Sequence, residues 1–286
     1  MIKEFAVEPE AIVSSYQRFA YVIEKFGVWE GRVISAFPSK WKSLVYAAAQ
    51  RAHAGQTELK RIEERLRTLP KGILIAMSRP GGDGEWLGQV LTEHKRQPFD
   101  YILSLAARDV PEAVLIDEFD GNHPCLAHTR EQIIRREPSV MANACCFLLK
   151  TASHVKLVDP HFDLMHSRFR EPFLQFVQYL RPGTVVEIFR DSEVASAALL
   201  ERANRYLPKV LPSGITVRLI VRPDEYPMHN RFLMTNHGGA RFGVGLDAAG
   251  DGSVQEDEVS MMLANVWQER WTQYSSGEVV GEWVGA

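Results

Sequence analysis

The sequence predicts an α/β fold, with a mainly parallel sheet flanked by helices in its second part and a mostly helical N-terminal region. Short apolar runs alternate with amphipathic stretches from residue 130 onwards, which is typical of strands and helices that cover a buried sheet. The first third has apolar residues at helical spacing instead. Gly121-Asn122-His123-Pro124 interrupts regular structure, so we expect one domain over 1–129 and a second over 130–286.

In the first part, the periodicity predicts helices over 9–26, 40–54 and 56–69. Short apolar runs predict buried strands over 72–77, 99–104 and 113–116. In the second part we predict helices over 131–152, 169–180, 192–211 and 259–274, the first of them entered or interrupted near Pro138. Strands are predicted over 155–158, 184–189, 215–221, 230–235 and 240–244.

The composition limits the class of protein. With 286 residues and 45% hydrophobic content, the chain can build a sizeable core. No apolar run approaches the roughly 20 residues of a membrane span, and the start lacks a basic and apolar leader, so we expect a cytoplasmic protein without membrane contact. A net charge of −3 gives no general basic surface, so any nucleic-acid groove must be local.

The three cysteines, Cys125, Cys145 and Cys146, are too few and too poorly spaced for a disulfide framework or a tetrahedral zinc site. The adjacent pair is predicted to lie inside a helix, and no basic cluster next to it favours a reactive thiolate. We therefore expect neither a metal site nor a cofactor.

One segment carries the residues for phosphoryl transfer. His229 and Arg231 lie two residues apart at the start of a predicted strand, so their side chains share one face. A histidine can attack phosphorus, while a guanidinium binds the non-bridging oxygens and stabilises their growing charge. The alternative interpretation of these two residues is structural: a half-buried histidine of a strand next to a surface arginine, without a catalytic role.

The order of residues resembles the phospholipase D superfamily motif, His-x-Lys-x4-Asp followed by a turn and a strand ending in Gly-Ser-x-Asn. Here it reads His229, Arg231 and Asn236, and then Gly243-Val244-Gly245-Leu246-Asp247. The segment His154 to Asp163, with Asp159-Pro160-His161, resembles the opening strand of the family's half-domain. The resemblance covers about residues 130 to 286.

The resemblance implies the site residues. His229, Arg231 and Asn236 correspond to the catalytic motif, and Glu258 is our choice for the carboxylate that orients the histidine, although an acidic first turn of the last helix explains it equally well. The implied substrate-binding residues are Gly243, Gly245, Asp247 and His161. Arginine for lysine keeps the positive charge, whereas Asn236 and Val244 replace a carboxylate and a hydroxyl of the family pattern, which puts catalysis in doubt.

The family reaction uses two histidines, and one motif supplies half of them. Single-motif members complete the site across a symmetric dimer, which predicts a homodimer here. The alternative is that the N-terminal half is a decayed copy, with His94 or His128 as the second histidine.

The resemblance implies a metal-independent phosphodiesterase that forms a phosphohistidine. A nuclease acting on DNA or RNA fits best, in a bacterial defence or mobile-element setting, and a phospholipase is a rival. A different class is also open: a catalytically degenerate phosphate- or nucleic-acid-binding assembly module of a larger complex, with the N-terminal region docking protein subunits.

Overall fold

A computed structural model describes residues 1–53, 56–106, 109–127, 130–191, 197–222 and 228–286 of the chain. The chain forms two compact units. One is Ile2–Thr129, called the N-terminal unit below, and the other is Arg130–Ala286 together with Met1, called the C-terminal unit. Within the described residues, no helix has both the length and the apolar character needed to cross a bilayer.

The N-terminal unit contains a five-stranded sheet in the order β3-β2-β1-β4-β5, and each neighbouring pair is parallel. Its elements are β1 (Lys3–Val7), α1 (Pro9–Ile12), α2 (Tyr16–Glu24), β2 (Arg32–Ser35), α3 (Trp41–Ala52), α4 (Gln56–Arg67), β3 (Leu74–Ile75), α5 (Trp86–Arg96), β4 (Tyr101–Ser104) and β5 (Ala113–Leu115). The region predicted as mostly helical thus contains, in its described residues, five α-helices and also a parallel sheet of five short strands, so this unit is α/β. Strands β1 and β2 escaped prediction because each is short and contains charged residues.

Helices cover both faces of this sheet. Phe5 and Val7 of β1 share a buried cluster with residues of α2, α3 and α4. Ala6 belongs to a second cluster with Trp86 and Val90 of α5. Because successive strand residues point to opposite faces, α3 and α5 pack on opposite sides of the sheet.

The C-terminal unit contains an eight-stranded mixed sheet in the order β13-β9-β8-β7-β10-β11-β12-β6. Its elements are β6 (Glu131–Arg135), α6 (Pro138–Thr151), β7 (His154–Val158), α7 (Ser167–Val177), β8 (Val185–Asp191), α8 (Ala197–Val210), β9 (Thr216–Arg222), β10 (Phe232–Thr235), β11 (Gly238–Phe242), β12 (Glu256–Met261), α9 (Ala264–Gln273) and β13 (Glu278–Val284). In this sheet the pairs β7–β8 and β8–β9 are parallel, and the other neighbouring pairs are antiparallel. The α/β class is confirmed, but this sheet is mixed rather than mainly parallel.

Two predicted helices of this unit begin with strands. The segment predicted as a helix over 131–152 divides into β6 and α6, with Pro138 as the first helical residue. A proline there needs no N–H partner and has the backbone angle of a helix. The segment over 259–274 divides in the same way into the end of β12 and α9. The start of the helix predicted over 192–211 lies outside the described residues.

The strand register brings seven strand ends together. Val158, which ends β7, pairs with Phe232, which begins β10, and Phe232 pairs with Arg241 near the end of β11. Arg135, which ends β6, pairs with Glu256, which begins β12. Since β8 and β9 run parallel to β7, their carboxyl ends lie on the same side. We call the end of the sheet where these strand ends lie the motif edge. The end of the sheet at the other termini of the same strands is called the opposite edge.

Candidate functional site

His229 and Arg231 lie at the motif edge, immediately before β10. The His229 side chain is exposed, and Arg231 is half-buried. Nη1 of Arg231 donates a hydrogen bond of 2.8 Å to the backbone oxygen of His229. Among the described residues, the His229 ring has no hydrogen-bond or ion-pair partner, so it is available to a ligand.

Asp159 follows β7 and lies beside this pair. The residue is 2% exposed, and its carboxylate accepts hydrogen bonds of 3.0 Å from the backbone N–H groups of His161 and Leu246. Burial raises the pKa of Asp159, while those N–H groups and the positive charge of Arg231 oppose the rise. Asp159 therefore holds the segment after β11 and supplies a counter-charge to Arg231.

The segment from Gly243 to Asp247, called the glycine segment below, follows β11 and is held by a second carboxylate. Asp257 of β12 is buried, and its Oδ1 accepts from the N–H groups of Gly243 at 2.8 Å and Val244 at 2.9 Å. Its Oδ2 is 3.5 Å from the nitrogen of Gly245. Successive N–H groups that converge on an anion fix the backbone of a tight turn.

Two glycines allow these approaches. A Cβ atom on Gly245 would collide with Oδ1 of Asp247 and lie 3.5 Å from Oδ2 of Asp159. A Cβ on Gly243 would lie 3.0 Å from Oδ1 of Asp257. The structure thus gives both glycines a packing role, and their predicted role in substrate binding stays a prediction.

Asp247 is predicted to bind substrate, but the structure places its carboxylate between two guanidinium groups. Arg136 donates to Oδ1 at 2.6 Å, and Arg168 donates to Oδ2 at 2.6 Å. The side chain of Arg136 is 2% exposed, whereas that of Arg168 is 38% exposed. Asp247 therefore joins β6 and α7 to the glycine segment, and it leaves the outer face of Arg168 in contact with solvent.

Asn236 does not belong to this site. It follows β10 at the opposite edge, where its Oδ1 accepts from the N–H groups of Ser153 at 2.9 Å and His154 at 3.3 Å. Asn236 is five residue steps along the extended chain from Arg231, about 17 Å at the rise of a strand. The prediction of Asn236 as a catalytic residue is corrected to a structural one. An aspartate could accept the same two hydrogen bonds, so asparagine here does not alter the charge of the site.

Glu258 does not enter the last helix as predicted. It lies within β12, is exposed, and pairs with Ile133 of β6. Its neighbour Asp257 points to the other face because side chains alternate along a strand, and Asp257 is the residue that contacts the glycine segment. The error arose from extending helical periodicity back over 259–263, which concealed the alternation of exposed and buried residues.

His161 is exposed and lies at the motif edge directly after Asp159 and Pro160, so its predicted contact with substrate stays a prediction. Sequence reasoning missed Arg190, near the end of β8. Arg190 is 0% exposed, and its three side-chain nitrogens have no hydrogen-bond partner among the described residues. Burial lowers its pKa, and the nearby charges of Asp163 and Asp191 oppose this. Only its position after an apolar strand could have indicated it.

The other candidates lie elsewhere or are engaged. His94 accepts from the N–H of Phe99 at 3.1 Å and lies 3.4 Å from a carboxylate oxygen of Glu112 within the N-terminal unit. His128 lies outside the described residues. Burial raises the pKa of Cys125 to about 11 and that of Cys145 to about 12, so neither thiol ionises near neutral pH. No group of three or more His, Cys, Asp or Glu side chains in the described ranges is arranged to hold a metal ion.

No protein-family model matches the chain, and no curated protein matches it. Among solved structures, the chain is similar to TrmBL2, an archaeal chromatin protein, at 13% identity and a TM-score of 0.27 over 51% of this chain and 51% of that one. It is also similar to polyphosphate kinase from Porphyromonas gingivalis, at 12% identity and a TM-score of 0.28 over 82% of this chain and 43% of that one. The chain thus spans about half the length of the first structure and less than half of the second. Neither likeness is close enough to assign a fold family or a function, which therefore rest on the geometry of the site.

Proposed function

We propose that the C-terminal unit is a phospholipase D-like phosphodiesterase domain, with nucleic acid as its substrate and the motif edge as its site. The observation that carries the proposal is the position of an exposed His229, whose ring has no partner among the described residues, next to Arg231 at the motif edge and beside the buried carboxylate of Asp159. Together they provide a nucleophile, a cation for phosphate oxygens and a counter-charge that holds the cation in place.

In the proposed reaction, a ring nitrogen of His229 attacks phosphorus. The N–P bond forms as the P–O bond to the leaving group breaks, and the leaving oxygen takes a proton. Arg231 binds the non-bridging oxygens, where negative charge accumulates. Water then attacks the phosphohistidine, which releases the phosphate product and restores the imidazole.

The leaving oxygen needs a proton donor, and a second His229 supplies it if two copies of the chain face each other across a two-fold axis. This proposed homodimer has a kinetic test. When wild-type chains are mixed and re-equilibrated with His229→Ala chains, activity falls with the square of the wild-type fraction if each site needs both histidines. A linear fall contradicts the shared site.

A polyanionic substrate fits the charges of the motif edge. Arg135 is exposed where β6 ends, and the side chain of Arg168 is 38% exposed next to the glycine segment. These cations lie along one sheet edge in a protein of net charge −3. Neutralisation of phosphates by such residues releases counter-ions, so binding of DNA or RNA should weaken steeply as salt rises.

A second proposal is a phosphate-binding assembly module without turnover. Two observations favour it. The carboxylate of Asp247 is hydrogen-bonded to Arg136 and Arg168, and Val244 stands where the family motif has a serine. Such a module keeps the salt-sensitive binding and loses the chemistry. The same assay separates the two proposals.

The deciding experiment measures cleavage of single- and double-stranded DNA, RNA and bis(p-nitrophenyl) phosphate in excess EDTA. We expect turnover by the wild type and a loss of at least about 10³-fold in His229→Ala. His237→Ala is the control, because His237 lies at the opposite edge next to Asn236. Binding without turnover by a folded wild type rejects the enzyme in favour of the module, and neither binding nor turnover rejects both.

A further inference from the structure

Strand β6, at one side of the C-terminal sheet, is open to further pairing. In the part of the chain that the structure describes, β12 is the only strand beside it. The N–H of Arg136 donates to the oxygen of Gln255 at 2.9 Å, and the N–H of Met261 donates to the oxygen of Arg130 at 2.7 Å. Backbone groups alternate in direction along an antiparallel strand, so the N–H and C=O groups of the odd-numbered residues of β6 point away from β12.

These odd-numbered residues, Glu131, Ile133 and Arg135, also carry the exposed side chains of β6. Ile133 is 69% exposed, the largest fraction among the exposed large apolar residues of the described chain. Arg135 has only an exposed contact of 3.6 Å with Glu137, and Glu131 has no ion pair with any described residue. Within the described ranges, the outward backbone groups of the three residues have no hydrogen-bond partner. Such a strand is a template for pairing with another strand.

The order of the side chains along β6 is self-complementary. When β6 pairs antiparallel with the β6 of a second copy, centred on Ile133, each Glu131 lies opposite an Arg135 and Ile133 lies opposite its own copy. These are the residues with outward backbone groups, so each opposed pair exchanges two hydrogen bonds. Opposite charges directly across two strands stabilise the pairing, and the two Ile133 side chains remove apolar surface from water. The contact uses the same patch on both copies, as a two-fold axis requires.

Strand β13, at the other side of the same sheet, lacks this complementarity. A bulge interrupts it between Val279 and Gly281. Its exposed charged residues, Glu278 and Glu282, are both acidic, and the corresponding pairing with a second copy about Val280 places them opposite each other. Like charges directly across two strands are destabilising. The sequence of β6 therefore fits a second copy of the chain, whereas the sequence of β13 opposes one.

We propose that two copies of this chain associate through β6, which joins their C-terminal sheets into one continuous sheet. Because the pairing is antiparallel, the motif edges of the two copies lie at opposite ends of that sheet. This contact therefore differs from the two-fold axis that brings two His229 side chains together, and it does not depend on the function proposed for the motif edge. Copies that use both contacts form a tetramer.

Sedimentation equilibrium of the full chain with charge-reversal variants tests the register. In Glu131→Arg, an arginine faces Arg135 of the other copy at both ends of the contact, and we expect the dissociation constant to rise at least about tenfold. The double variant Glu131→Arg with Arg135→Glu restores opposite charges, and its dissociation constant should return to within about threefold of the wild type. Glu278→Arg on β13 is the matched control and should associate as the wild type does.

Three results overturn the proposal: a wild type that stays monomeric up to about 100 μM, an unchanged dissociation constant in Glu131→Arg, or a double variant as weak as the single one. Thermal melting establishes that each variant is folded. If copies also meet at the motif edge, Glu131→Arg reduces the largest species from a tetramer to a dimer. A wild-type dimer that persists unchanged in Glu131→Arg uses another interface and rejects β6.

Cross-linking at the centre of the contact gives a direct measurement. Two cysteines in Ile133→Cys lie opposite each other with Cα atoms about 5.5 Å apart, within reach of a short bismaleimide. We expect covalent dimers to form at least about tenfold faster than in Val279→Cys, whose exposed position on β13 is the matched control. The wild type, with its half-buried Cys146, gives the background rate. Equal rates in the two variants overturn the proposal.

Discussion

The two ends of β10 carry residues of the same motif and are built differently. At the opposite edge, Asn236 accepts two backbone hydrogen bonds and completes the pairing of β10 with β7. At the motif edge, the ring of His229 has no hydrogen-bond or ion-pair partner among the described residues, and Nη1 of Arg231 donates a hydrogen bond to the backbone oxygen of His229. The motif thus divides into a residue that supports the pairing of the sheet and a pair, His229 and Arg231, that we propose as the site.

The largest expected difference concerns activity. Arg231→Gln should lower turnover of a phosphodiester by about 10² to 10³-fold, because it removes one preorganised donor from the developing charge. Asn236→Ala should leave turnover per folded molecule within about threefold, while it costs about 1 to 2 kcal/mol of stability through two lost hydrogen bonds. Steady-state kinetics and urea unfolding of both variants measure this. A larger loss of turnover in Asn236→Ala would reverse our assignment of the two ends.

The carboxylates of β12 provide the second test. Asp257→Ala should lower the free energy of unfolding by about 2 to 3 kcal/mol, since it leaves the N–H groups of Gly243 and Val244 without their charged acceptor. Glu258→Ala, the adjacent exposed position, should change it by less than about 0.5 kcal/mol. Urea denaturation compares the two variants directly. Equal effects would mean that Asp257 does not organise the glycine segment.

Two buried cations on neighbouring strands, Lys156 and Arg190, should change the stability of the protein in opposite directions when each is replaced. Lys156 donates to the backbone oxygens of Trp271 at 3.1 Å and Tyr274 at 2.6 Å, so Lys156→Met should destabilise the protein by about 2 kcal/mol. Arg190→Met should instead stabilise it by about 1 to 2 kcal/mol, because it removes a buried charge whose side-chain nitrogens have no hydrogen-bond partner among the described residues. Thermal melting of both variants in the same buffer gives the two signs. A destabilised Arg190→Met would show that the guanidinium has a structural role.

The smallest expected effect is a pH dependence. Since the pKa of Asp159 is raised in the folded state, the folded protein binds more protons than the unfolded chain between the usual value of 3.8 and the raised one. The contribution of Asp159 to stability therefore falls as pH rises through that window. The difference in unfolding free energy between wild type and Asp159→Asn should shift in favour of the variant from pH 4 upwards. Asp251→Asn, at an exposed turn, should show no such trend.

The central strands could be predicted because each is an apolar run between turn-forming residues, as in β7, β8 and β9. The edge and near-edge strands could not, since β6 and β12 mix polar and apolar residues without a regular alternation over only five or six positions. So short a stretch fits a helix as well as a strand. The wrong choice for 259–263 then led directly to Glu258 instead of Asp257.

The part of the candidate site that is formed by residues close together in the sequence could be predicted. His229 and Arg231 lie two residues apart, and strand geometry alone places them together. The contact of Asp247 with Arg136 joins residues 111 positions apart, and its contact with Arg168 joins residues 79 positions apart. Such contacts depend on how β6 and α7 pack against the end of β11, which no local pattern contains. The burial of the Arg190 side chain likewise depends on how the chain folds and is not contained in a local pattern.

The double contact of Asp247 also bears on the order in which the chain acquires its site during synthesis. Arg136 and Arg168 leave the ribosome well before Asp247, and until Asp247 follows them they lack the carboxylate that neutralises both. Closing loops of this length costs conformational entropy that local contacts do not repay. A nascent chain that ends before Asp247 therefore carries His229 and Arg231 without this anchor of the glycine segment, and the second anchor, Asp257, follows only with β12.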